Sequence, residues 1–438
     1  MEFTVKLTVS IKVEAGWPDV NEIVGDVDQI GNEMKQALME LLTPALQQDY
    51  LSQDGVERNL AHSIPKSDQP CEHRDFRRAG TRERSLKTPF GTVNIVLQQL
   101  RCKACGKFVT PFFDVLGLKQ WDRLSQLTQR QVLGIVTETS YRRTEGIFQS
   151  LGQTFSRMAI HSLVTKRDWD FPEDPSPAVT HLMVDGTGYH GIDGNRKDLR
   201  VVIGVNSTGT TCFTQCYVGK DWSVIAEDLK QRKLVPRQVT VDGEPGIDAV
   251  AEALKAPEQR CQVHFTRDLG YTLWKDGVTK AGRDRLTEQA QGLLAVEVPL
   301  YDTEPVRPAD RQYVEARIDK RIEELRLLAE EIRGKGYLRA ATYIEGAVDK
   351  LFTRLRLWIE TGLICPATTN RIEQVMGQIA RRIKHIHAKW GDVGLEKMVK
   401  VLLKKVVEPL AWAKFWVREL GGTNCLQLKL LECKVDYA

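Results

Sequence analysis

Apolar and polar residues alternate at the start of the chain. Phe3, Val5, Leu7, Val9, Ile11 and Val13 are separated by mostly polar side chains, which predicts a half-buried strand. Over 20–50 the period lengthens. Ile23, Met34, Leu38, Leu41 and Leu42 recur at roughly 3.6-residue spacing, which predicts a helix with that stripe turned inward. Residues 51–70 are polar and loop-like. In KTPFGTVNIVLQQLRC, Val93, Ile95 and Leu97 alternate beyond Phe90-Gly91, as in a β-hairpin turning near those two residues. Residues 120–168 are helical in pattern. Within them, Thr139 or Ser140 can cap a helix that buries Ile147, Phe148 and Leu151. Gly152 makes a turn, and Ser156 can cap a second helix with Ile160, Leu163 and Val164 inward. FPEDPSPAV (171–179) reads as a linker because of its prolines. HLMVDGT, LRVVIGVNS and RQVTVDG then have strand character, while 310–360 and 371–418 are helical and charged. No internal repeat or low-complexity tract is present.

A chain of 438 residues has room for several domains, and 42% hydrophobic with 27% charged residues excludes wholesale disorder and a fibrous fold. No run of eighteen apolar residues occurs, so neither a membrane span nor a membrane partner is expected. MEFTVKLTVS lacks a basic n-region and an apolar h-region, so no secretory signal is expected. Nine widely spaced cysteines fit a reduced interior better than a disulfide scaffold. The net charge of +4 names no partner, but its distribution does. Residues 1–70 carry 5 basic and 12 acidic side chains, 71–150 carry 14 and 7, and 371–418 carry 11 and 4. Two basic blocks on a balanced chain suit a polyanion, because each phosphate contact releases a condensed counterion.

Three constellations carry chemistry. Cys71-x-His73 and Cys102-x-x-Cys105-Gly offer two ligand pairs for one structural Zn2+, which wants four soft or borderline ligands in a tetrahedron. His62 can stand in for His73, and the bland alternative is two free thiols plus a surface histidine. The helical pair at 139–168 has the order of a helix-turn-helix, with Arg142, Arg143, Arg157 and His161 expected to face DNA; a plain helical hairpin is the alternative. The third constellation is acidic. Asp185 and Asp242 each precede a glycine where an apolar strand is expected to end, and Glu373 follows a capping Thr368 or Thr369 in TTNRIEQVMGQIARRIKHIH. Three such carboxylates can hold Mg2+ or Mn2+, two per site, and drive in-line displacement at phosphorus. Arg371, Arg381, Arg382 and Lys384 would supply phosphate contacts. Cys261 and His264, three apart on one helix face, suit either a place beside the metals or an anchor of that helix on the sheet. Cys212 and Cys216 fall on an expected strand and suit packing.

VDGTGYH, VDGEPGI, RCQVHFTRDL and TTNRIEQVMGQIARRIK occur in this order, and together they resemble the Mutator-like DDE transposases of bacterial insertion sequences. Gaps of 57 residues between the two aspartates and 131 to Glu373 fit that family's layout, and Gln374-Val375 depart from it slightly. The resemblance covers roughly 180–390, and 71–168 more weakly. It implies a multidomain α/β and α protein: a ribonuclease H-like mixed-sheet core at 179–265 and 366–418, with an all-helical insertion at 266–365. A zinc-binding β unit at 71–118 and a helix-turn-helix unit at 119–170 would precede the core. Residues 1–70 match nothing in the family, and 419–438 form a tail. Asp185, Asp242 and Glu373 are then the catalytic triad, with Cys261 and His264 as the family's Cys-x-x-His block. The implied partners are double-stranded DNA, both terminal inverted repeats and target, and a second copy of the chain. The implied location is the cytoplasm, at the bacterial nucleoid. A ribonuclease H-like nuclease or resolvase without strand transfer, or a non-catalytic regulator derived from a transposase, remain alternatives.

Overall fold

The computed structural model describes residues 5, 7–9, 20–52, 76–116, 118, 123–169, 179–299, 306–384 and 389–420. The expected strand over 3–13, the loop at 51–70 and the linker at 171–179 lie almost wholly outside them. The protein is a mixed α/β molecule. Its described residues divide into two compact units, residues up to 163 with 413–420, and 164–412. The second boundary lies earlier than the expected domain end at 418.

The first unit is built on a hairpin. Strands β1 (Phe76–Thr88) and β2 (Gly91–Cys102) pair antiparallel across a two-residue turn, and a short β3 (Phe108–Val109) adds to β2. The expected alternation holds: Val93, Ile95 and Leu97 are buried with Leu86, Phe112 and Leu118. Helix α1 (Val20–Ser52) covers this face. Its inward stripe is not the expected one. Met39, Leu46 and Tyr50 pack on the sheet, and the polar Gln36, Glu40 and Gln47 hydrogen-bond the backbone at Phe90, Asn94 and Gln98. Ile23, Met34 and Leu41 face outward. Polar side chains serve here because a two-layer unit this small leaves sheet amides at its rim in need of partners.

After a one-turn helix α2 (Phe112–Val115), α3 (Gln126–Val136), α4 (Tyr141–Ser150) and α5 (Arg157–Thr165) follow in succession. Ser140 caps α4 by accepting from the Arg143 amide, and Ser156 accepts from the Ala159 amide at the start of α5. Phe148, Ile160 and Val164 are buried as expected, whereas Ile147 and Leu151 are exposed and Thr144 takes the inward place instead.

The second unit holds a five-stranded sheet in the order β6 (Thr211–Val218), β5 (Arg196–Val205), β4 (His181–His190), β7 (Gln238–Val241), β8 (Glu258–Arg260). The first three strands are an antiparallel meander; β4, β7 and β8 run parallel. Helices α6 (Trp222–Gln231) and α7 (Asp248–Ala253) cover one face, where Leu182, Val184, Val202, Val239 and Val241 meet Trp222, Ile225, Leu229 and Val250. Helices α8 (Gln262–Lys275), α9 (Lys280–Leu293), α10 (Pro308–Gly334), α11 (Leu338–Ala347) and α12 (Thr353–Thr361) share an apolar cluster running from Phe265 to Trp358. The chain then re-enters the sheet layer. Helix α13 (Asn370–Ile383) packs on β4 and β5, α14 (Asp392–Val407) packs on β6, and α15 (Pro409–Glu419) follows. Among the described residues no helix is long and apolar enough to cross a membrane.

Candidate active site

Register brings the two aspartates together. β4 and β7 pair His181↔Gln238, Leu182↔Val239 and Met183↔Thr240. Continued two residues further, that register sets Asp185 opposite Asp242. Side chains alternate along a strand. The even-numbered β4 residues Leu182 and Val184 and the odd-numbered β7 residues Val239 and Val241 enter the α6–α7 core. His181, Met183, Asp185, Gln238, Thr240 and Asp242 therefore belong to the opposite face, beneath α13. Contrary to expectation, Asp185 does not end its strand; β4 continues to His190, paired with β5 as far as His190↔Arg196. It is the parallel neighbour β7 that stops here, at Val241, one residue before Asp242.

Asp185 is 7% exposed. Burial first, and the Asp242 carboxylate second, push its carboxyl up to about 7; the amide of Gly186, donating to Oδ1 at 2.7 Å, opposes this, and Glu373 adds a smaller push. Asp242 Oδ1 accepts the Glu244 amide at 2.9 Å, which fixes the loop that follows β7.

Glu373 arrives from far along the chain, and the path is pinned. The Gln238 side-chain amide donates to the carbonyl of Pro366 at 3.2 Å, and the Gln262 backbone amide donates to Ala367 at 3.1 Å. Thr369 then begins α13, but its hydroxyl does not cap the helix amides. It donates to Glu373 Oε1 at 2.7 Å and lies 3.1 Å from His264 Nδ1 and 3.2 Å from Cys261 Sγ. Cys261 precedes α8 in the N-cap position and His264 sits in its first turn, so the starts of α8 and α13 meet at one point. His264 Nδ1 is 3.3 Å from Cys261 Sγ and 3.3 Å from Glu373 Oε1. Burial opposes ionisation of both, yet hydrogen bonds win: those from His264 and Thr369 hold the Cys261 thiol below its ordinary range, and the Cys261 contact holds the His264 imidazole above its own. Among the described residues, Cys261, His264 and Glu373 are a group that could hold a metal ion, their ligand atoms lying within 4.8 Å of one another.

The polar row under the acids has its own consequence. His181 Nε2 lies 2.8 Å from Thr240 Oγ1, which also accepts from Gln238 Nε2 at 3.0 Å. Burial, reinforced by the Arg371 charge, lowers His181 from 6.5 to about 4. The unfolded chain therefore binds the extra proton first. The contribution of a neutral His181 is complete above pH 6.5 and is lost as pH falls toward 4, by about 3 kcal/mol at 1.36 kcal/mol per unit. Denaturant titrations across that window should show the loss, and His181→Asn should flatten the profile; parallel profiles for the two proteins would disprove it.

The basic residues divide. Arg381 and Lys384 are exposed, and Lys384 Nζ donates to Thr187 Oγ1 at 2.6 Å. Arg382 is not exposed as expected. It is 2% accessible, with its guanidinium 5.0 Å from the Trp390 ring centroid. It falls on the inward stripe of α13 with Ile372, Val375, Ile379 and Ile383, so packing claims it. Arg371 is likewise engaged, donating to Thr211 Oγ1 at 2.6 Å and to the Gly209 carbonyl. An open pocket of about 490 Å³ is lined by Gly188, His190, Arg196, Lys384 and Lys389 among others, a cationic hollow beside the α13 end that sequence inspection missed for His190, Arg196 and Lys389. Also missed were Arg200 and Glu244, which pair at 2.8 Å beside Gly186.

In the first unit, Arg142, Arg143, Arg157 and His161 are exposed. Arg157 is tied to Glu145 at 3.1 Å, and the His161 ring stands edge-on to Tyr141. Cys102 and Cys105 form a knuckle: the Cys105 amide donates to Cys102 Sγ at 3.5 Å, the Gly106 amide to the Cys102 carbonyl at 3.0 Å, and Gly106 takes a left-handed φ of 75°. Cys71, His73 and His62 lie outside the described residues; Phe76, the first residue of β1, pairs with Cys102. Cys212 and Cys216 lie on β6, as expected.

Comparison with known proteins finds no matching family model and no matching curated protein.

Proposed function

We propose that this chain is a Mutator-like DDE transposase that binds the ends of a mobile DNA element and carries out phosphodiester hydrolysis and strand transfer. The observation with most weight is the in-register meeting of Asp185 and Asp242 on the sheet face beneath α13, with Glu373 delivered by that helix. An antiparallel meander followed by two parallel strands, in the order 3-2-1-4-5, is the arrangement of a ribonuclease H-like core, and helices α9–α12 occupy the place of the family's insertion.

The donor set fits hard divalent cations. Asp185, a buried carboxyl whose hold on its proton is strengthened by burial and by the neighbouring Asp242 charge, gains most from a shared cation. Asp185, Asp242 and Glu373 would hold Mg2+ or Mn2+. Two such ions, when bound, activate a water or a 3′-hydroxyl and stabilise the leaving oxygen. The protein's own work is positioning. Gly186 and Glu244 amides orient the aspartates, Thr369 orients Glu373, and the His190–Arg196–Lys384–Lys389 hollow receives backbone phosphates. The cationic α4–α5 surface would read the terminal repeats of double-stranded DNA as a dimer binds two ends.

The Cys102–Cys105 knuckle suits one structural Zn2+, for which Cys71 and His73 would be the remaining ligands. Cys105→Ser should release zinc and destabilise the hairpin unit, because such sites contribute folding energy outright. Zinc content equal to that of the native protein would refute this.

The deciding experiment is a strand-transfer assay with a pre-cleaved element end and Mg2+. Joined product is expected. Cleavage without joining would make the protein a nuclease or resolvase, and binding without either reaction would make it a regulator.

A further inference from the structure

We propose that Cys261, His264 and Glu373 form a binding site for one Zn2+ ion, with the Thr369 hydroxyl, or a water in its place, at the fourth corner. Four polar atoms from two helix starts, those of α8 and α13, crowd around one point. Cys261 Sγ and His264 Nδ1 are 3.3 Å apart, and His264 Nδ1 and Glu373 Oε1 are also 3.3 Å apart. Thr369 Oγ1 is 3.2, 3.1 and 2.7 Å from the three in turn. A tetrahedral zinc site with bonds of about 2.0–2.3 Å has edges of roughly 3.3–3.6 Å. The two 3.3 Å separations already match, the Thr369 oxygen must draw back from Glu373, and Cys261 Sγ and Glu373 Oε1 lie within 4.8 Å of each other.

Charge and softness select the ion. One thiolate and one carboxylate neutralise a divalent cation, which suits a place where Cys261 is fully buried and His264 nearly so. A thiolate and an imidazole favour zinc over magnesium, which wants six oxygens in an octahedron. On binding, the Cys261 proton leaves to solvent, and His264 keeps its single proton on Nε2 so that the Nδ1 lone pair faces the metal. Glu373 would give Oε1 to zinc and keep Oε2 for the hard-cation site of the aspartates. The cage stands whatever reaction the acids perform, and its failure would leave the transposition assay untouched.

Cobalt is the probe. Metal-free full-length protein titrated with Co2+ should develop thiolate-to-cobalt charge transfer and the intense visible absorption of a tetrahedral centre. Cys261→Ser, His264→Asn and Glu373→Gln, each checked for folding by circular dichroism, should each bind one equivalent fewer than the native chain. The difference spectrum for Cys261→Ser should be that of a single thiolate. Zn2+ should bleach this component and excess Mg2+ should not. The proposal falls if the folded variants bind as much cobalt as the native protein, if Mg2+ bleaches the signal, or if the native protein shows no tetrahedral absorption at all. Three variants guard against one that fails to fold, and the last outcome needs no variant.

Discussion

Asp185→Asn should abolish cleavage and strand transfer while leaving DNA binding intact. The asparagine is nearly isosteric and keeps the oxygen that accepts the Gly186 amide, so the backbone has no reason to move. What disappears is the charge at the meeting point of β4 and β7. A metal contributes several kcal/mol of charge stabilisation at the transition state, so losing its ligand should lower the rate on the order of a thousandfold or more. Stability should move the other way. The folded Asp185 carboxyl is raised from 3.8 to about 7, so the unfolded chain releases its proton first and the folded state loses stability as pH rises through that window. Without divalent cation at pH 8, the variant should therefore melt no lower than the native protein. A lower melting temperature would mean that the substitution disrupted the fold, and activity close to native would remove Asp185 from the chemistry.

The acids were legible because each is marked locally. Asp185 and Asp242 follow apolar strand patterns and precede glycine, and Glu373 follows a run of helix-start residues. Their convergence was implied by the family resemblance and not by the residues alone, since it depends on a parallel register between β4 and β7 and on a path through Pro366 and Ala367 that is held by Gln238 and Gln262. The same limit hid the partners of Cys261 and His264, because Thr369 lies more than a hundred residues away and only the fold sets it beside them. Arg382 was readable but misread: its spacing from Ile379 and Val375 puts it on the apolar stripe, and its charge suggested solvent. In α1 the error ran in reverse. Ile23, Met34 and Leu41 have the spacing of an inward stripe, yet Gln36, Glu40 and Gln47 hold the sheet through hydrogen bonds that hydrophobic periodicity does not report.

Gly243→Ala should be among the most damaging single-methyl changes in the second unit. Gly243 has φ of 84°, where an alanine is strained by about 1–2 kcal/mol. A Cβ built there would sit 0.8 Å from Arg260 Nη1, so the guanidinium must leave its seat. That seat is nearly closed: Arg260 is 6% exposed, donates to the Tyr343 hydroxyl at 3.0 Å and stands 3.4 Å from Asp268. Separating a buried charge from its partners costs about 3–5 kcal/mol. The two effects together should lower stability by roughly 4 kcal/mol or more, and the displaced loop carries Asp242, so activity should fall with it. Arg260→Ala alone should also destabilise, but the double variant Gly243→Ala/Arg260→Ala should be more stable than the sum of the single losses, because the clash is then gone. Chemical denaturation of the four proteins measures that coupling. Additive losses would mean that the glycine is required for its backbone conformation alone and that Arg260 plays no part in holding the Asp242 loop.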